Sequence, residues 1–117
     1  MLVGTPLMFC FGAFLLLSHV NIFLSDLALN QPTDQLSVSY GGVASRAVDG
    51  NNNTDWSRGS CMHTEEEKDP WWRVDLGASV PVAEVVIVNR LCVPCRNHME
   101  AFEIRIGKVI SPLLLKT

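Results

Sequence analysis

Trp71-Trp-Arg-Val-Asp-Leu76 decides the fold. Read with a period of two, it sends Trp72, Val74 and Leu76 to one face and Trp71, Arg73 and Asp75 to the other. That is the pattern of a strand with one packed and one wetter face. Working outward, Phe102-Glu-Ile-Arg-Ile-Gly107 alternates in the same way, directing Phe102, Ile104 and Ile106 inward and Glu103 and Arg105 outward. Leu36-Ser-Val-Ser-Tyr40 also alternates strictly. Residues 82–88 are apolar on both faces apart from Glu84, as in a strand enclosed between two layers. Turn-forming clusters separate these stretches at Gly41-Gly42, Asp49-Gly50-Asn51-Asn52-Asn53, Asp69-Pro70 and Gly77. Val43 to Val48 suits a single helical turn, but no segment sustains a 3.6-residue apolar period and there are no internal repeats. The expected class is all-β, a jelly-roll β-sandwich.

The length of 117 residues fits one domain. Nine basic against 12 acidic residues give a net charge of −3, which excludes the basic excess of a phosphate reader and hence nucleic acid as a partner. All of these charges lie at or after Asp26. Ahead of them, Leu7 to Leu17 is an apolar run of the length found at the centre of a signal peptide. Residues 1–25 therefore read as an apolar signal helix. A signal anchor is the alternative, because Leu2 to Leu24 approaches the about 20 apolar residues that span a bilayer. Either way the remainder faces the oxidising side of a membrane, and it is read as secreted and extracellular, with no membrane contact beyond that segment. The division is a signal segment at 1–25, a domain at 26–107 and a divergent apolar tail at 108–117.

Beyond the signal segment stand Cys61, Cys92 and Cys95. An odd count in an exported chain leaves one thiol over. Cys92 and Cys95 can close a small disulfide loop, which leaves Cys61 without a partner.

Two groups of residues carry chemistry. The loop from Ala47 to Ser60 is dense in hard oxygen donors: Asp49, Asn51, Asn52, Asn53, Asp55, Ser57 and Ser60. It reads either as a solvated turn or as a Ca²⁺ site, since that ion takes six to eight oxygens. Asn52-Asn53-Thr54 is an N-glycosylation sequon. The second group is His63, Arg90 and Arg96, whose N–H donors suit the hydroxyls of a neutral sugar, although arginines are also ordinary surface residues. Cys92-Val-Pro-Cys95 allows a small thiol oxidoreductase. Joined by Cys61, His63 or His98, it would allow a zinc site. Glu65-Glu-Glu67 reads as a solvated charge run, and no nucleophile–base or paired-carboxylate arrangement points to an enzyme.

Asp26-Leu-Ala-Leu-Asn-Gln-Pro32, Ala44-Ser-Arg-Ala-Val-Asp-Gly-Asn51, Ser60-Cys-Met-His-Thr64, Pro70-Trp-Trp-Arg-Val-Asp-Leu-Gly77 and Phe102 to Gly107 occur in this order. Together they resemble the F-type lectin (fucolectin) domains of the wider discoidin-like group. The resemblance implies a jelly roll that binds L-fucose and fucosylated glycans beside a structural Ca²⁺. It implies sugar contacts from His63 and Arg90, which are separated by twenty-six residues as in the family's sugar motif. It implies metal contacts from the Asp49 carboxylate, the backbone carbonyls of Arg46 and Asn51, and the hydroxyl and carbonyl of Ser60.

The chain departs from that pattern at the sugar motif. Cys92 stands where the family has Asp, and Asn97 stands at the second basic position, with Arg96 one residue earlier. The family's adjacent cysteines are here separated as Cys92 and Cys95. These departures imply weakened sugar affinity, because a donor without its orienting partner must be ordered on binding. Family domains also run well past Gly107, so the resemblance implies a sandwich incomplete at its C-terminus, with the partner of Cys61 outside the chain. A homo-oligomer stays open, as does the rival reading of a discoidin-like adhesion module that does not bind fucose.

Overall fold

The computed structural model describes residues 24–91 and 101–107, together with the backbone of three strands nearer the N-terminus. The strands are β1 (Leu2–Gly4), β2 (Met8–Phe9), β3 (Phe11–Leu17), β4 (Leu24–Asp26), β5 (Thr33–Gln35), β6 (Met62–His63), β7 (Trp71–Val74), β8 (Glu84–Val88) and β9 (Phe102–Ile104). They form three antiparallel sheets with orders β5-β7-β1-β9, β2-β6 and β4-β3-β8. Helix is confined among the described residues to two 3₁₀ turns, Ala44–Ala47 and Trp56–Arg58. The first of these occupies the place where the sequence suits a single turn.

Alternation in β7 places Trp72 as expected. Its indole is fully enclosed with Ala28, Ala47, Val48 and Met62, and Val74, Leu76, Val85 and Ile87 pack against that cluster. Strands from two different sheets thus supply one core. The indole N–H, which would be costly to bury without an acceptor, donates to the Ala44 carbonyl at 3.0 Å. On the other face Arg73 lies over the Trp71 ring at 5.3 Å and pairs with Asp34, its opposite number on β5, at 3.0 Å.

Three expectations change. Leu36 to Tyr40 is an irregular segment rather than a strand, and its polarity is reversed. Gln35 and Ser39 are buried, whereas Leu36, Val38 and Tyr40 are exposed. The polar groups go inward because backbone partners wait there. Ser39 N–H donates to the His63 carbonyl at 2.9 Å, and the Ser37 hydroxyl accepts the Glu65 N–H at 2.9 Å. Phe102, Ile104 and Ile106, expected inside, are exposed. β9 lies at the edge of its sheet, pairing with β1. Finally, the signal helix expected within residues 1–25 is not the conformation found. Phe11–Leu17 is a strand lying antiparallel to β8, from Phe11 opposite Val88 to Leu15 opposite Glu84. The edge of β8 presents unpaired N–H and C=O groups, and pairing satisfies them. Among the described residues no helix is long and apolar enough to cross a membrane.

Replacing Trp72 by Ala should cost about 3–5 kcal/mol in urea unfolding, the range for truncating a buried indole. Leu36→Ser should change stability by less than about 0.5 kcal/mol, as expected for an outward side chain. An equal loss in both variants would contradict the reversed polarity of the 36–40 segment.

Candidate functional site

The oxygen-rich loop builds itself by a repeated local turn. Asp49 Oδ1 accepts the Asn51 N–H at 2.9 Å, Asn51 Oδ1 accepts the Asn53 N–H at 3.1 Å, and Asn53 Oδ1 accepts the Asp55 N–H at 2.9 Å. Asp55 continues the series by accepting the Ser57 N–H at 2.9 Å, which caps the 3₁₀ turn Trp56–Arg58. Gly59, at φ 66°, ends that turn in the left-handed region. The loop is held to the body by the Ser60 hydroxyl, which donates to the Asp55 carbonyl at 3.1 Å. The Leu91 N–H does the same through the Thr54 carbonyl at 3.2 Å.

These ties deliver Trp56 to a meeting point. Leu91 follows Arg90, so its bond to Thr54 brings the end of β8 beside the loop. The Arg90 guanidinium then lies 5.6 Å from the centre of the Trp56 ring. Arg46, from the first 3₁₀ turn, approaches the same ring at 5.9 Å while its Nη1 donates to the Cys61 carbonyl at 3.5 Å. On β6, Met62 enters the core, so the alternating direction of a strand turns His63 the other way. Its imidazole sits 5.7 Å from the Trp56 ring and 5.5 Å from that of Tyr40, which meets Trp56 edge-on at 6.5 Å. His63 is 8% exposed and Tyr40 83% exposed. Phenol, indole, imidazole and guanidinium therefore form a graded face, wet at Tyr40 and enclosed at His63.

The structure thus brings His63 and Arg90 to one indole. Arg96, Cys92 and Cys95 lie outside the described residues. Sequence reasoning missed Tyr40 and Trp56. Trp56 was discoverable as a large aromatic set inside a hydrophilic loop. Tyr40 was hidden by its expected place in a strand.

Asp55 precedes Trp56 in the loop and pairs with Arg58 at 3.9 Å. Its pKa is lowered, first by the Ser57 hydroxyl and then by the Ser57 N–H, with smaller help from the charges of Arg58 and Arg90. It therefore stays anionic in the loop that carries Trp56. A lowered folded-state pKa gives stability that is present above the unfolded carboxylate value and is lost as pH falls through the folded one.

The proposed calcium donors are differently placed. Asp49 is exposed, Ser60 is fully buried, and the Asp49 carboxylate already accepts one N–H through Oδ1. Among the described residues no three His, Cys, Asp or Glu side chains converge as a metal cluster. A cation held here would therefore rely on carbonyl, hydroxyl and amide oxygens around one carboxylate, a hard donor set that fits Ca²⁺ and not zinc. Cys61, expected to lack a partner, is disulfide-bonded, with its partner sulfur outside the described residues. A sulfur in a disulfide is not a thiolate, which removes Cys61 from the zinc alternative.

Residues 46–109 match the family model for the NedA-like, galactose-binding domain of F5/F8 type C. The chain is 40% identical over 69 residues to a fucolectin of Anguilla anguilla, covering 58% of this chain and 42% of that protein. It is 40% identical over 70 residues to fucolectin-5 of Anguilla japonica, covering 56% and 37%. It is also 40% identical over 65 residues to a pentraxin fusion protein of Xenopus laevis, covering 55% and 15%. The chain spans about two fifths of the two fucolectins. No solved structure matches it.

Replacing Ser57 by Ala should raise the Asp55 pKa, because it removes the larger of the two stabilising hydrogen bonds and keeps the backbone one. A carbonyl-detected NMR titration would read this, and an unchanged Asp55 midpoint would contradict the assignment.

Proposed function

Because the chain belongs to the F5/F8 type C family of NedA-like, galactose-binding domains, as an F-type lectin or discoidin-like domain and not an enzyme, we propose that it is an exported carbohydrate-binding module for fucosylated glycans, with Trp56, His63 and Arg90 as its binding face. The observation that carries this reading is the approach of His63 and Arg90 to one indole. A neutral sugar has hydroxyls that need fixed donors and an apolar C–H face that packs on an aromatic ring. Arg90 offers N–H groups in a rigid fork, His63 a ring nitrogen, and Trp56 with Tyr40 the apolar surface. Contact with the indole also restrains Arg90, which partly offsets the missing Asp at position 92, although affinity remains weakened. Arg96 supplies a second basic contact in this reading.

Calcium is part of the proposal. The Asp49 carboxylate, the Arg46 and Asn51 carbonyls and Ser60 would hold it, and its contribution is to cross-link the loop that carries Trp56. Asn52 is exposed, and its neighbours Asn51 and Asn53 spend their side-chain oxygens on turns, so Asn52 is the proposed glycosylation site. Residues 1–25 are proposed as the export leader and 26–107 as the domain, with a sandwich closed in jelly-roll fashion. Removal of the leader would take away β1, β2 and β3 and leave the edges of β6, β7, β8 and β9 to water or to other strands. Assembly into homo-oligomers would raise avidity without any new contact.

A second reading has one observation in its favour. The exposed row Leu36, Val38 and Tyr40 suits a discoidin-like adhesion module whose ligand is a protein or lipid surface rather than fucose. Retention of the full chain on immobilised L-fucose separates the two. The lectin reading expects retention in Ca²⁺ and elution by free L-fucose, with early release in EGTA and flow-through of Arg90→Ala. Flow-through of the folded wild-type chain would overturn it.

A further inference from the structure

The segment Ser39-Tyr-Gly-Gly42 is fastened to His63 from several sides. Ser39 N–H donates to the His63 carbonyl and His63 N–H donates to the Gly42 carbonyl, both at 2.9 Å. The two N–H groups of Gln35 Nε2, on a side chain only 9% exposed, are shared among three carbonyls, those of Gly42 and His63, each at 3.1 Å, and that of Ser37 at 2.5 Å. Three carbonyl oxygens converging on one point repel one another unless a donor sits between them, and the amide NH₂ is that donor. Gly42 permits the approach. A Cβ there would lie 2.6 Å from the His63 nitrogen and 2.8 Å from the His63 Cβ. Between these anchors Tyr40 is held at φ 50°, in the left-handed region that a non-glycine residue adopts only when its surroundings require it.

We infer that Gln35 and Gly42 are positioning residues of the binding face, setting the His63 and Tyr40 rings against each other. Gln35 is itself fixed, since it stands opposite Trp72 in the β5–β7 ladder. A chain of placement therefore runs from the core strand through one buried amide to the imidazole and the exposed phenol. When the amide is lost, the three carbonyls part, the turn loses the restraint on Tyr40 φ, and His63 loses its registry with Tyr40. For sugar affinity this inference rests on the proposed lectin function; for ring geometry it does not.

The test uses three variants of the full chain. Gln35→Met has similar length and no donor, and Gly42→Ala inserts the overlapping Cβ. Val48→Ala, in the core and away from the turn, is the control for lost stability alone. The readout is the His63 Hε1 chemical shift, which the currents of the Tyr40 and Trp56 rings displace from the value of an isolated imidazole. Gln35→Met should move that resonance toward the isolated value and weaken L-fucose binding about tenfold, a factor in keeping with one or two lost hydrogen bonds. Gly42→Ala should do the same where it folds. Val48→Ala should lower the melting temperature and leave the resonance in place. A Gln35→Met resonance that coincides with that of Val48→Ala would overturn the inference. A moved resonance in a protein that binds no fucose at all would sustain the positioning role and contradict only the lectin reading.

Discussion

Trp72 is enclosed on every side, and its one donor meets the Ala44 carbonyl at 3.0 Å. Burying an indole of about 200 Å² or more stabilises by about 5 kcal/mol at 25 cal/mol per Å², whereas an exposed ring or cation–π contact contributes about 0.5–1.5 kcal/mol. The core therefore dictates and the surface cluster follows. The bond to Ala44 fixes the 3₁₀ turn from which Arg46 reaches Trp56. The ladder to Gln35 fixes the amide under His63. Met62 shares the buried cluster, so its neighbour His63 must face away from it.

The cluster around Trp56 adds little to stability and much to order. Arg46 and Arg90 both lie over the indole. Donors already held by a ring face lose less freedom when a ligand arrives, and affinity follows from that saving more than from contact area. The same reasoning explains why the loop is built from successive side-chain-to-backbone bonds. Each Asp or Asn fixes the residue two places on, and the series ends at the turn carrying Trp56.

What the sequence made legible is what burial alone decides. The two faces of Trp71 to Val74 followed from alternation, because only one arrangement removes Trp72 from water. The 36–40 segment alternates as clearly, yet its inner face is polar. Ser37, Ser39 and Gln35 find backbone partners 24 or more residues away in the chain, which no local pattern reveals. Phe102, Ile104 and Ile106 carry an inward pattern at the edge of a sheet, where pattern and burial part company. His63 and Arg90 were found through a family spacing, but the indole between them was not, since the hydrophilic residues around Trp56 mark a loop without saying which way the ring turns.

The three tryptophans, Trp56, Trp71 and Trp72, make the central claim directly measurable, because each contributes one indole N–H resonance. In a ¹H–¹⁵N titration with L-fucose up to millimolar concentrations, the indole cross-peak of Trp56 should shift with saturation while that of Trp72, sealed in the core, stays fixed. If the Trp56 cross-peak remained stationary throughout, or moved only in step with the other two, the indole would not be part of a sugar-binding face.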